Sequence, residues 1–397
     1  MFKAALKRLK WLSILYGVAL FLELPLILWM ELGKQKAIQG ALWAEAANKT
    51  YLSPMLFHPI LHFTNLVVPV VFGLILFYYL QKDRASTFFH SLPIKRGFLY
   101  CQNLLAGLTL IWLPVLINGL LVYAVFNFFG VTEGQWHNAY QYSMPPDPGY
   151  NVPKIVSVGQ VMAFWLFLNL VMTGLFFIFT VFVGMLTGNV LLQGALTFIG
   201  LFLPLGLYVL LKFNLSKLLY GIPGDSYDRD IEWLSPIVSY LNDQNFRLLF
   251  QASTWYMWYL AAAALLCVIS IYLYKKRAAE AAGETLAAGW IRWIFKYGVA
   301  ACAALTGGVY LSTLNENSIW ALYLGHFIGA VLGYAIADMI AYKSFHFYRR
   351  WKGLVAFGAV FVLLVVSVNL DIFGYEKYVP DEDEVKEVFI SNLSRDG

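Results

Sequence analysis

The sequence predicts an all-α, polytopic membrane protein, and three observations carry that prediction. Residues AVILMFWYC make up 60% of the chain, charged residues only 13%, and the mean hydropathy is +0.65. Globular domains are about half apolar and about a quarter charged, so a water-soluble fold could not hide this much apolar surface. The apolar residues are also gathered into runs of roughly 20, the length that crosses a bilayer as a helix. Aromatic residues reach 17%, with 13 Trp and 25 Tyr, which suits interfacial belts. The net charge of +5 is therefore read as a topology signal, and no nucleic-acid partner is expected.

Taken in order, the segment Met1–Trp11 (MFKAALKRLKW) is basic and amphipathic. No small-residue cleavage site follows it, so it leads into an uncleaved first span. Nine apolar runs have span length, at about 12–31, 60–80, 99–126, 158–182, 189–211, 254–274, 293–313, 319–341 and 353–370. The third is long enough to tilt or to break at Pro114. The fourth and fifth are joined by GMLTGN and the seventh and eighth by NENS, both tight turns.

Counting Lys and Arg orients the chain. With the N-terminus inside, the inner segments hold 17 of the 28 basic residues: four before the first span, Lys82, Arg84, Lys95 and Arg96 after the second, five from Lys275 to Lys296, and four from Lys343 to Lys352. Their acids are only Asp83, Glu280 and Glu284. This predicts a cytoplasmic N-terminus and an extracytoplasmic C-terminus. Outside, Glu31–Pro59 carries amphipathic helix signals, Asn127–Ser157 has loop chemistry, and Lys212–Ser253 is expected to form short interfacial or re-entrant helices. Inside, 275–292 is Ala- and Gly-rich and reads as a linker. The acidic tail 371–397 reads as the first strand of a domain that then stops.

Several chemistries are missing. There is no GxxxxGK[ST] loop, no HExxH and no CxxC pair, so no enzyme activity, cofactor or metal is assigned to this chain. Cys101, Cys267 and Cys302 stand singly in apolar runs as small core residues. His58 and His62 have helical ligand spacing, but Pro59 lies between them and no carboxylate accompanies them. Sequons at Asn48, Asn214 and Asn392 fall on outer segments. Asn103, Asn118, Gln160, Asn169 and Gln193 lie in spans, where such groups bond between helices more often than they bind substrate.

Charges within spans are functional candidates by default. Glu23 sits mid-span, two residues before Pro25, and either pairs with a neighbouring helix or lines a substrate path. Asp338 is expected to snorkel or to pair locally, one turn from Lys343.

The loop after the second span, QKDRASTFFHSLPIKRGFLY from Gln81 to Tyr100, is short, basic and aromatic. Ala85–Leu92 can make two helical turns with Phe88, Phe89 and Leu92 on one face, and Pro93 ends them. Either a partner's groove or the inner leaflet would suit such a face.

The run RASTFFHSLPIKRGFLYCQNLLAG resembles the membrane subunits of type-2 ABC exporters. In that family a basic elbow precedes the first span, a coupling helix ending in a Leu-Pro-x-x-Arg-like pattern follows the second, and six spans form the core. Leu92, Pro93 and Arg96 match the pattern, Met1–Trp11 resembles the elbow, and Lys212–Ser253 sits where re-entrant helices belong. The resemblance covers roughly residues 1–275 and implies an elbow at 1–11, a six-span permease core at 12–274, a cytoplasmic linker at 275–292 and a three-span extension at 293–370. It further implies a bacterial cell membrane, a separate ATPase that binds ATP and presses on Arg84, Phe88, Phe89, Leu92, Pro93 and Arg96, a second permease copy or paralogue, and export of a peptide, drug or lipid-like cargo. Two alternatives stand beside it: an ion-coupled secondary transporter using Glu23 and Asp338, and a membrane-anchored sensor.

Overall fold

The computed structural model describes residues 2–42, 52, 56, 58–91, 93–136, 154–222, 229–241, 252–278, 282–372 and 374–375. The chain opens with α1 (Phe2–Glu23) and α2 (Pro25–Gln39), followed by α3 (Pro59–Leu76), a short α4 (Asp83–Ser91) and α5 (Arg96–Phe128). Then come β1 (Glu133–Trp136), β2 (Lys154–Ser157), α6 (Val158–Leu186), α7 (Val190–Leu218), the six-residue α8 (Pro236–Leu241) and α9 (Ala252–Lys276). The chain continues through α10 (Gly289–Leu314), α11 (Ile319–Tyr342) and α12 (Trp351–Asn369). Among the described residues, nine candidate spans are long and apolar enough to cross a membrane, α1 and α2 together forming the first.

Each apolar run expected from the sequence falls on helix. The first is divided between α1 and α2, the second runs past the end of α3 into a 3-10 turn at Tyr78–Gln81, and most of the other helices extend past their run. A helix keeps its backbone groups paired internally, so it continues beyond the oil until a breaker arrives. Thus α7 runs on to Leu218, and Gly221 takes a left-handed φ of 90° just beyond. Asn214, whose sequon the sequence placed on an outer segment, is helical and buried. The segment Asn127–Ser157 also departs from expectation. β1 and β2 pair antiparallel, Glu133 opposite Ser157 and Trp136 opposite Lys154, while the turn-rich stretch between them, from 137 to 153, lies outside the described residues.

The chain divides into two compact units, Met1–Gly206 with Asp228–Trp293, and Leu207–Tyr227 with Ile294–Gly397. In the first, α6 is the central helix, with α3, α5 and α9 packed on it, and α1 lies along α5. Two glycines allow the close approach. A Cβ on Gly73 would sit 2.8 Å from Thr180, and one on Gly107 would sit 2.2 Å from the Phe177 ring.

The 33-residue α5 stays helical through Pro114. Proline lacks an N–H, which leaves the carbonyl of Leu110 without its helical donor. The hydroxyl of Ser13 on α1 donates to that carbonyl at 2.6 Å, and the Asn118 amide donates to Pro114 O at 2.9 Å and to Gly17 O at 3.1 Å. The break in the ladder is thus mended from a neighbouring helix, as lipid surroundings require.

In the second unit, α10 and α11 meet along small residues. Gly325, Gly329 and Gly333 recur every four positions on one face of α11. A Cβ on Gly329 would lie 2.2 Å from Ala303 O, and one on Gly325 would lie 2.2 Å from Gly307 O, so the two backbones are in contact. Asn214 donates to Leu305 O at 3.2 Å and bonds His326 at 2.7 Å. α12 contributes no buried residue.

Candidate functional site

The loop after α3 becomes a helix of nine residues, α4, where two turns from Ala85 were expected. It is strongly two-faced. Ser86 is buried, and the Phe89 ring packs 4.6 Å from Tyr79. On the opposite side Arg84, Phe88 and Pro93 are exposed, Phe88 to 60%. Leu92 lies outside the described residues. Arg96 opens α5 and donates to the carbonyls of Lys275 at 3.4 Å and Arg277 at 3.1 Å. Of the loop residues singled out by sequence, then, Phe89 and Arg96 turn toward the protein, and Arg84, Phe88 and Pro93 face away from it.

What holds this loop is Arg277, which the sequence offered only as one of several inner charges. Its guanidinium is buried and donates to the carbonyls of Gly184, of Leu80 at 3.1 Å and of Thr187 at 2.8 Å. These carbonyls belong to the ends of α6 and of the segment after α3, where helical C-termini leave acceptors unfilled and carry partial negative charge. No carboxylate among the described residues pairs with it, so burial pushes the guanidinium down to about 10, still charged at neutral pH. Neighbouring bonds reinforce the clamp. Gln81 donates to Gln193 at 3.0 Å, Gln193 to Thr180 O at 2.9 Å, and the Tyr79 and Tyr274 hydroxyls meet at 3.0 Å. Part of the expected linker is held here as well, with Thr187 bridged to Leu286 and Gly283 N–H on Gly188 O at 2.9 Å. Leu286 is buried in this contact.

A second constellation lies among the spans of the first unit. The Tyr16 hydroxyl donates to Asn65 at 2.6 Å, Asn65 donates to Asn169 at 2.7 Å, and the Tyr240 hydroxyl donates to Asn169 at 2.7 Å. All four residues are buried, and they join α1, α3, α6 and α8. Tyr240 reaches this position because α8 inserts into the bundle, in the segment expected to hold short re-entrant helices. His62 packs edge-on against Tyr240, with ring centres 4.7 Å apart. His62 is thus a core residue, and no group of three metal-ligating side chains occurs among the described residues.

Glu23 stands beside this network at the end of α1. Helical geometry breaks at Leu24, whose φ is −128°, before Pro25 opens α2. The Thr64 hydroxyl donates to Glu23 Oε1 at 2.7 Å. The other oxygen, Oε2, is buried with no hydrogen-bond partner among the described residues.

Asp338 corrects the sequence reading. It does not snorkel or pair with Lys343. It is fully buried, with Lys296 at 3.5 Å and Arg350 at 2.7 Å. The Tyr334 hydroxyl accepts from Lys296 at 3.1 Å and donates to Arg350 O at 2.8 Å, and the Arg350 guanidinium stacks 3.7 Å from the Tyr342 ring. Of the intramembrane polar residues, Asn118 and Asn169 bond between helices as expected, while Gln160 lies exposed at the start of α6.

The chain matches no protein-family model, no curated protein and no solved structure. Its own geometry establishes a polytopic, mostly helical membrane protein, with a two-faced helix clamped to the ends of its spans.

Proposed function

We propose that this chain is the membrane subunit of an ATP-driven exporter of the type-2 ABC kind, seated in a bacterial cell membrane with its N-terminus cytoplasmic. A separate ATPase binds and splits ATP, and a second copy or paralogue completes the path. The observation that carries this reading is the joint arrangement of α4 and Arg277. α4 presents Arg84 and Phe88 outward, Pro93 just beyond it is also exposed, and the flanks of α4 are tied through Arg277 and Arg96 to the ends of α6 and α9 and to the segment after α3. A push on the outer face of α4 would reach three helix ends through hydrogen bonds rather than be lost in a mobile loop.

The ion-coupled alternative is weakened by Asp338, whose carboxylate is already neutralised by two cations. The test is whether a neighbouring reading frame encodes a phosphate-loop ATPase and whether that ATPase co-purifies with this chain. Arg84→Glu with Phe88→Ala should abolish co-purification and leave the fold intact, because both side chains face away from the protein. Retained binding and retained ATP turnover in that variant would overturn the assignment.

A further inference from the structure

Two buried polar atoms near the break between α1 and α2 have no hydrogen-bond partner among the described residues. One is Glu23 Oε2 and the other is His58 Nδ1. His58 caps the start of α3 without using its side chain, and it lies within electrostatic range of Glu23. The two side chains make neither a hydrogen bond nor an ion pair with each other, while Thr64 fixes the orientation of the carboxylate through Oε1. Beside them, Tyr16, Asn65, Asn169 and Tyr240 are bonded to one another. An ionised carboxylate oxygen only accepts, and the imidazole accepts at Nδ1 in the tautomer protonated at Nε2; with both atoms desolvated, that pair calls for a ligand that is cationic and carries more than one donor. A primary ammonium meets both demands. An anion would be repelled by the carboxylate, and a quaternary ammonium brings charge without donors.

We propose that Glu23, His58 and Thr64 form a subsite for the primary ammonium group of an amphiphilic amine. That this amine is cargo rests on the transport reading above; the binding itself does not. Binding is therefore measured without any ATPase, on the full chain in lipid nanodiscs, by calorimetric titration with n-octylamine. Octanol and octyltrimethylammonium serve as the neutral and donor-free controls. Octylamine should bind saturably. Glu23→Gln keeps the Thr64 bond and should weaken binding at least about tenfold, the worth of one charge-assisted hydrogen bond. His58→Ala removes no bond that the structure uses, and should weaken octylamine several-fold while leaving octyltrimethylammonium unchanged. Octylamine binding that is unsaturable, or equal in wild type and Glu23→Gln, would overturn the proposal. So would equal affinity for octylamine and octyltrimethylammonium, which would leave only a site for charge.

Discussion

Arg277→Lys isolates what the clamp beneath α4 contributes. The substitution keeps the positive charge and its burial cost, so those terms cancel to first order, and only the shape of the donor changes. A guanidinium reaches Gly184 from one nitrogen and Leu80 and Thr187 from the other, whereas an ammonium carries its three donors on one atom and does not span the positions of the two nitrogens. Each buried carbonyl left unpaired costs about 1–3 kcal/mol. Gly184 O keeps a weak donor in Gln81 at 3.4 Å, so the loss falls mainly on Leu80 and Thr187. The expected destabilisation is about 2–4 kcal/mol. It would be read as a shift in the midpoint of denaturant unfolding in detergent micelles, followed by tryptophan fluorescence. Protease cleavage near α4 should rise in parallel, because Arg96 is bonded to the carbonyl of the same residue. A change below about 0.5 kcal/mol, the range of ordinary surface substitutions, would refute the idea that the planar fork is what holds these ends together.

Three further outcomes follow from the packing. Asp338→Asn leaves Lys296 buried with its ionic partner gone and should cost about 3–5 kcal/mol in the same unfolding assay, the penalty for breaking a buried pair. Gly329→Ala would drive a methyl into the backbone of Ala303 and should cost about 1–3 kcal/mol, whereas Gly298→Ala, which meets open space on α10, should be neutral or stabilising. Ser13→Ala should cost about 1 kcal/mol by orphaning Leu110 O. In a Pro114→Ala background the restored N–H fills that carbonyl, so Ser13→Ala should then cost less, and a double-mutant cycle reads the difference.

The length and apolarity of the spans are local properties, set against the fixed thickness of a bilayer, and for that reason the sequence alone located all of them. The stop after α4 was equally local, since Pro93 cannot continue a helix. The glycine face of α11 was present in the sequence as a four-residue spacing, yet only the partner helix shows that Ala303 and Gly307 lie against it. Long-range partners leave no such trace. Arg277 meets carbonyls 93, 197 and 90 residues away, and nothing in its own neighbourhood sets it apart from Lys275 and Lys276. Asp338 shows the same thing in reverse: its nearest basic residue in sequence is Lys343, but its counter-ions come from α10 and from the turn before α12. Local composition thus determined what crosses the membrane, and the tertiary fold decided which buried polar groups answer one another, because in a low-dielectric interior each must find a partner wherever the chain can bring one.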